Sequence, residues 1–149
     1  MKSWLTLIAL TWVPWVELRG SIPLGIAWQL PWAAVLAVTT LANALIFVPV
    51  YLVLHLAYRR WLENTLVGAW VRAARRRGEG LVKRYGTWGL AFFVAVPLPG
   101  TGAYSGTALA FLMGIPPARA FVAVAAGVVV AGCLVTLASM GVLAGLRGL

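Results

Sequence analysis

Glu17 and Arg19 are the residues of this sequence best placed to do chemistry, because both are charged and both lie well inside an apolar region. A charge at bilayer depth costs at least about 2.5–3.5 kcal/mol on insertion scales, which marks such residues as functional candidates. Residues two positions apart point to opposed faces of a helix but to the same side of an extended chain. If the two side chains act together, we therefore expect an unwound segment there, as Gly20 and Pro23 also indicate. A Glu–Arg pair that only neutralises itself is the alternative.

A second break in the apolar sequence, at residues 97–102, offers backbone rather than side-chain chemistry. Its prolines end one helix, and its glycines leave free N–H groups ahead of a helix that we expect to begin near Ala103. Such an N-terminus favours an anion, so we predict a phosphate or carboxylate pocket between Arg19 and this break; a mere sharp turn is the alternative. The predicted proton-coupling residue is Glu17. The predicted substrate-binding residues are Arg19, Gly20, Ser21, Pro23, Pro97, Pro99, Gly100, Thr101, Gly102 and Tyr104.

The composition of the chain sets the environment of these residues. Of its 149 residues, 62% are hydrophobic and 10% are charged, whereas a soluble domain has about 45–50% and about 25%. A chain this short cannot bury so much apolar surface in a water-soluble core, so the sequence predicts an integral membrane protein. Its three acidic residues and one histidine are too few for most hydrolase triads and metal clusters. We therefore expect no enzyme, no cofactor and no metal.

Most of the basic charge lies in one segment, residues 59–87, which carries a net charge of +6 out of the chain's formal +9. The positive-inside rule places this segment in the cytoplasm, where it also attracts anionic lipid headgroups. Within it, residues 61–74 have apolar side chains at helical spacing, which predicts an amphipathic helix on the inner leaflet. We expect no nucleic-acid partner, because the segment has no recognisable binding motif. The predicted membrane-surface residues are Arg72, Arg75, Arg76 and Arg77.

Two apolar runs, residues 32–58 and 120–146, exceed the roughly 20 residues that a helix needs to cross the hydrocarbon region. The shorter runs each fall below that length, and they are residues 3–16, 24–30, 88–96 and 103–113. Either these pieces pair into broken spanning helices, giving four spans, or each pair is a re-entrant hairpin that enters and leaves on one face. Asn43, within the first long run, is more typical of a helix–helix hydrogen bond than of a ligand.

The order of these elements repeats along the chain. At an offset of 80 residues, the pair Gly20-Ser21 lies on Gly100-Thr101. Each break precedes a short apolar piece, a proline turn and a full-length helix. If each unit is a hairpin plus one helix, the two units are inverted and their breaks meet near the midplane, as in transporter binding sites. The predicted single membrane domain then comprises repeat 1 (1–58), the basic linker (59–87) and repeat 2 (88–149).

Residues 17–25 and 93–106 resemble the small multi-drug export protein family, and the likeness covers nearly the whole chain. That family is in turn distantly similar to the DedA family and to the wider group of eukaryotic lipid scramblases. The resemblance implies an inverted repeat of re-entrant hairpin plus helix. From DedA relatives it implies an essential acid and arginine, here Glu17 and Arg19, together with proton-motive-force dependence and recycling of polyprenyl phosphate. DedA proteins usually carry a further arginine beside their second hairpin, whereas residues 97–106 here carry no charge.

The leading functional prediction is a small proton-coupled transporter in the bacterial plasma membrane. Arg19 and the amides of residues 100–102 would bind an anionic headgroup, and Glu17 would carry the proton. Burial and the neighbouring Arg19 act in opposite directions on the ionisation of Glu17. One alternative is a proton-coupled exporter of lipophilic cations, held among tryptophans. A second is a non-transporting membrane organiser that docks through the helix at residues 61–77.

We also expect a homodimer, because two spans and two hairpins make a thin wall for a water-filled path. Small residues of the last span would allow close approach of helices from two copies. These residues are Gly127, Ala131, Gly132 and Ala138.

Overall fold

The computed structural model describes residues 2–58, 60, 85–97 and 101–147. In those ranges the chain is all-helical, as predicted, and seven helices follow one another. They are α1 Lys2–Thr11, α2 Glu17–Ala27, α3 Trp32–Leu45, α4 Phe47–Ala57, α5 Tyr85–Ala95, α6 Ala103–Leu112 and α7 Pro117–Arg147. The predicted amphipathic helix lies outside the described residues, with Arg72, Arg75, Arg76 and Arg77. Pro99 and Gly100 lie outside them as well.

In the part of the chain that the structure describes, two helical segments are long and apolar enough to cross a bilayer, Trp32–Ala57 and Pro117–Leu143, in agreement with the two predicted spans. The second is one continuous helix, whereas the regular hydrogen bonding of the first is interrupted at Ile46, which keeps right-handed helical dihedrals between α3 and α4. Pro49, four residues after Leu45, has no N–H to donate to the Leu45 carbonyl, and the Ile46 nitrogen lies 3.2 Å from the Asn43 carbonyl oxygen. A proline inside a helix removes one such hydrogen bond.

The first two helices form an antiparallel pair. Thr11 Oγ1 donates to Ser21 Oγ at 2.8 Å, and a Cβ on Gly25 would lie 3.1 Å from Leu7 Cδ1. The later residue of α2, Gly25, lies beside the earlier residue of α1, Leu7, so the chain reverses direction between the two helices. The helices have 10 and 11 residues, so at about 1.5 Å per residue each covers roughly half of a hydrocarbon region about 30 Å thick.

The reversal lies at residues 12–16, and the predicted break at 17–23 is wrong. The stretch from Glu17 onward is helical throughout, without the unwinding expected from Gly20 and Pro23. Pro14 lies in the actual turn. A proline inside a helix is tolerated at membrane depth where neighbouring helices and side chains satisfy the backbone, and here α2 packs against α1, α3 and α7.

Equivalent structure recurs 85 residues apart, rather than the 80 predicted from matching letters. Both short second helices end in a left-handed residue followed two positions later by proline: Gln29 (φ 59°) and Pro31 after α2, Gly114 (φ 69°) and Pro116 after α6. Both then close with an N–H that reaches five residues back, Leu30 to Gly25 at 3.2 Å and Ile115 to Ala110 at 3.0 Å. These are the bonds of a Schellman C-terminus. These matching hydrogen bonds and backbone conformations align the two units more specifically than the match of Gly20-Ser21 with Gly100-Thr101.

The packing of the helices follows the same repeat. Helix α2 packs on α3 of its own unit and on α7 of the other, while α6 packs on α7 of its own unit and on α4 of the other. At the 85-residue register Glu17 is equivalent to Gly102. These two positions lie against each other, because a Cβ on Gly102 would overlap the Glu17 carboxylate. The two units therefore meet at this pair.

Helix α7 packs its small residues against the rest of the chain. A Cβ on Gly127 would lie 2.6 Å from the Ala91 carbonyl oxygen of α5, and one on Gly132 would lie 2.8 Å from Thr40 Oγ1 of α3. Ala131 is buried, and Ala138 is exposed. The homodimer stays a prediction, and three of the four small residues named for it, Gly127, Ala131 and Gly132, pack inside one chain. They are small because α3 and α5 approach α7 closely within one chain.

We expect Gly127→Ala to destabilise the protein, by about 1–3 kcal/mol as for other overpacked cores. The added methyl group meets a backbone carbonyl, which cannot rotate away as a side chain can. The midpoint of thermal unfolding in detergent measures the effect. Gly141→Ala on the same helix is the matched control, since nothing lies within 4 Å of its Cβ position. Equal midpoints for the two variants would contradict the packing described.

Candidate functional site

Glu17 begins α2 in a left-handed backbone conformation, with φ 45°, and is 5% exposed. Residues with side chains rarely adopt this conformation, and it persists where the surrounding structure enforces it. It turns the side chain of Glu17 out of the direction that a regular helical residue would take. Glu17 and Arg19 consequently both reach the break between α5 and α6. The left-handed conformation of Glu17 thus brings the Glu17 and Arg19 side chains to the same break, whereas the sequence predicted that an unwound segment would do so.

The Glu17 carboxylate lies at the N-terminus of α6. The Tyr104 N–H donates to Oε1 at 3.5 Å, and the same carboxylate fills the space that a Cβ on Gly102 would need. The free N–H groups and the dipole of a helix N-terminus stabilise an anion. Helix α6 begins at Ala103, as predicted. In this structure the anion at its N-terminus is the protein's own carboxylate.

Arg19 fastens α2 to the break between α5 and α6. Its Nη2 donates to Thr101 Oγ1 at 2.9 Å and to the Val96 carbonyl oxygen at 3.4 Å. The Thr101 hydroxyl donates in turn to the same carbonyl oxygen at 2.5 Å. The guanidinium is half-buried. It therefore presents part of its surface to the space beside it.

A cavity of about 420 Å³ opens beside both charges, within the range of about 300–1,000 Å³ that ligand pockets occupy. It is lined by Pro14, Trp15, Glu17, Arg19, Pro97, Thr101, Gly102, Tyr104 and Ser105. The structure thus brings together six residues predicted for the site: Glu17, Arg19, Pro97, Thr101, Gly102 and Tyr104. At its rim, the Trp15 side chain is 90% exposed. Cationic and anionic groups, hydrogen-bond donors and aromatic rings all face this one cavity.

Gly20, Ser21 and Pro23, also predicted to bind substrate, do not line the cavity. Ser21 is fully buried, accepts the hydrogen bond from Thr11 and donates to the Glu17 carbonyl oxygen at 2.9 Å. Its hydroxyl therefore holds the α1–α2 pair together.

Three lining residues, Pro14, Trp15 and Ser105, were not among the predicted site residues. Ser105 Oγ accepts from the Gly102 N–H at 2.8 Å and so caps α6. A serine three residues after an N-cap position is a signal that the sequence did contain. Pro14 was not predicted to line the site because the predicted break began at residue 17, three residues after it.

Asn43 of α3 faces Glu17 from the opposite side of the carboxylate, across a narrow second cavity that also contacts Gly102. It is fully buried. Neither atom of its amide meets full hydrogen-bond geometry with a described residue, but its side chain approaches the Glu17 carboxylate of α2. No group of three or more His, Cys, Asp or Glu that could hold a metal ion comes together in the described part of the chain.

Comparison with protein families matches residues 17–134 to the family described as "Putative small multi-drug export protein". Comparisons with curated proteins and with solved structures found no match. The matched range contains every described residue that lines the cavity except Pro14 and Trp15. It also covers all of one apolar segment that can span a membrane and most of the other. The match covers well over half of the chain, and the chain belongs to the small multi-drug export protein family.

Proposed function

We propose that the protein is a small proton-coupled membrane transporter that moves an anionic or phosphate-bearing amphiphile, such as a polyprenyl phosphate carrier lipid. The observation that carries this proposal is the cavity of about 420 Å³, which the Arg19 guanidinium and the N-terminus of α6 both face. A phosphate group offers oxygens to guanidinium and backbone N–H donors at once. The apolar tail of such a substrate would remain in the surrounding lipid.

Competition between Glu17 and the substrate supplies a physical route to coupling. Ionised Glu17 holds the α6 amides and attracts Arg19. A protonated Glu17 has no charge to interact with the helix dipole, so it releases both groups to an incoming phosphate. Proton and anion would therefore load together, and unloading of the anion would restore the Glu17 contacts.

We further propose that α1–α2 and α5–α6 are re-entrant hairpins and that the two units are inverted in the plasma membrane. The short first helices, the 85-residue recurrence and the contact between Glu17 and Gly102 support this arrangement. The positive-inside rule then places residues 59–87 in the cytoplasm. The homodimer stays a prediction, with an interface other than the small residues that α7 uses internally.

A cation exporter is the second candidate, favoured by two aromatic rings in the cavity. Trp15 and Tyr104 line it beside Glu17, and aromatic faces near a carboxylate suit a lipophilic cation. The family description also names multi-drug export. Arg19 in the same cavity opposes this candidate, because a fixed positive charge repels a cationic substrate.

Arg19→Ala tests the choice between these candidates. We expect it to reduce translocation of polyprenyl phosphate by about 10- to 100-fold, since charge-assisted hydrogen bonds contribute about 1.5–3 kcal/mol. The assay uses proteoliposomes under an imposed pH gradient. The exposed Arg119 provides the matched control, Arg119→Ala. If wild type leaves the lipid in place but pumps a lipophilic cation, and Arg19→Ala pumps it too, the cation exporter is correct.

A further inference from the structure

Asn43 is a primary amide near the middle of the membrane-spanning segment Trp32–Ala57. It is 0% exposed. Its side chain approaches the Glu17 carboxylate, but neither its Oδ1 nor its Nδ2 meets full hydrogen-bond geometry with a described residue. A buried polar group in that condition costs about 1–3 kcal/mol. The mechanism proposed above does not use it. An amide retained here at such a cost indicates a second arrangement in which it is paired.

The surroundings of Asn43 identify the partner. The cavity that it shares with Glu17 is too narrow to admit a water molecule, so water does not satisfy the amide. The other helices that line it contribute apolar side chains, Val94 from α5 and Val128 and Ala131 from α7. The titratable side chains that face Glu17 are Arg19 on its own helix and Tyr104 on α6.

We infer that Asn43 receives the protonated carboxyl group of Glu17 when that group leaves the amides of α6. An ionised carboxylate only accepts hydrogen bonds, so it can satisfy only the Nδ2 of Asn43. A neutral carboxylic acid donates its O–H to Oδ1 and accepts from Nδ2 with its carbonyl oxygen, so both orphaned atoms are paired at once. Asn43 is therefore a positioning residue that stabilises the proton-loaded state. This inference rests on the proposed function and deepens it.

Infrared difference spectroscopy of the reconstituted protein, between acidic and alkaline pH and without substrate, tests the inference. The carbonyl band of protonated Glu17 is identified by its absence in Glu17→Gln. In Asn43→Leu we expect this band to move to higher frequency, because its hydrogen bonds to the amide are lost. We also expect the pH at which half of the band remains to fall by about one unit, the equivalent of one or two neutral hydrogen bonds.

Thr40→Val is the matched control, since Thr40 lies on the same helix and its buried hydroxyl likewise has no partner among the described residues. It should leave both the frequency and the half-point unchanged. Asn43→Ala is the second variant in case leucine is too large for the site. A half-point that rises in Asn43→Leu and Asn43→Ala would overturn the inference, because the amide would then serve the ionised carboxylate that it approaches in this structure. A band that is the same in wild type and both variants would also overturn it, as would the absence of a Glu17 band at every pH. Because no substrate is present, failure to transport phosphate lipids would overturn the proposed function alone.

Discussion

Replacement of Glu17 by glutamine is expected to abolish transport driven by a pH gradient while leaving binding of the phosphate headgroup intact. Glutamine keeps the size of the side chain but carries no exchangeable charge, so proton and anion can no longer displace each other. Loss of the competing carboxylate from the α6 N-terminus should tighten binding by about two- to fivefold, from about 0.3–1 kcal/mol of helix-dipole interaction. Flux in proteoliposomes and equilibrium binding of inorganic phosphate or a short-chain polyprenyl phosphate measure the two effects separately.

Glu63→Gln, which neutralises an acidic residue in the basic linker, is the control for this substitution. It should retain wild-type flux. Unchanged transport in Glu17→Gln would remove Glu17 from the mechanism. Loss of both flux and binding, with a lowered unfolding temperature, would instead make Glu17 a structural clamp between the two units.

Gly102→Ala is expected to have the next largest effect, reducing transport at least about tenfold. Gly102 has an extended backbone, with φ −154° and ψ −164°, that any residue can adopt. The effect is therefore purely steric: the new methyl group takes the space of the Glu17 carboxylate and forces it from the α6 N-terminus. Overpacking of this kind costs about 1–3 kcal/mol. Thermal unfolding and proteoliposome flux should both report it, and Gly145→Ala, with open space around its Cβ, should change neither.

The double variant Glu17→Ala with Gly102→Ala separates the fold from the chemistry. Removal of the carboxylate makes room for the methyl group, so the double variant should recover much of the stability lost in Gly102→Ala. It should not recover transport, since the coupling carboxyl is absent. Strictly additive stability changes would contradict direct contact between the two positions.

Composition and hydropathy were sufficient to predict the spans and the start of α6, and to single out Glu17 and Arg19, which both reach the break between α5 and α6. These features depend on local sequence: long apolar runs, a Pro/Gly break, and charges isolated at depth. The first break was misplaced because proline occurs on both sides of Glu17, at Pro14 and Pro23, and the helix–turn boundary depends on which proline the packing accommodates. The left-handed conformations of Glu17 and Gln29 have no local signal, since neither is glycine.

The sequence also could not predict that the Glu17 carboxylate occupies the N-terminus of α6. The Glu17 and Tyr104 pairing joins residues 87 positions apart, and letters alone cannot show whether a helix N-terminus faces a ligand or a side chain of the same chain. The surroundings of Asn43 could not be predicted for the same reason. Its residue type predicted a hydrogen bond, but pairing depends on what the other helices place opposite it. Here α2 places Glu17 there, and α5 and α7 place apolar side chains.

The equivalence of Glu17 and Gly102 has a consequence for how a chain of this kind can arise by duplication. Two identical halves would present the same residue twice at the point where they touch. Two glutamates there would overlap and repel each other, and two glycines would leave no acid. A single functional carboxyl at the meeting point therefore requires the halves to differ, and fusion into one polypeptide allows that symmetry to be broken by one substitution.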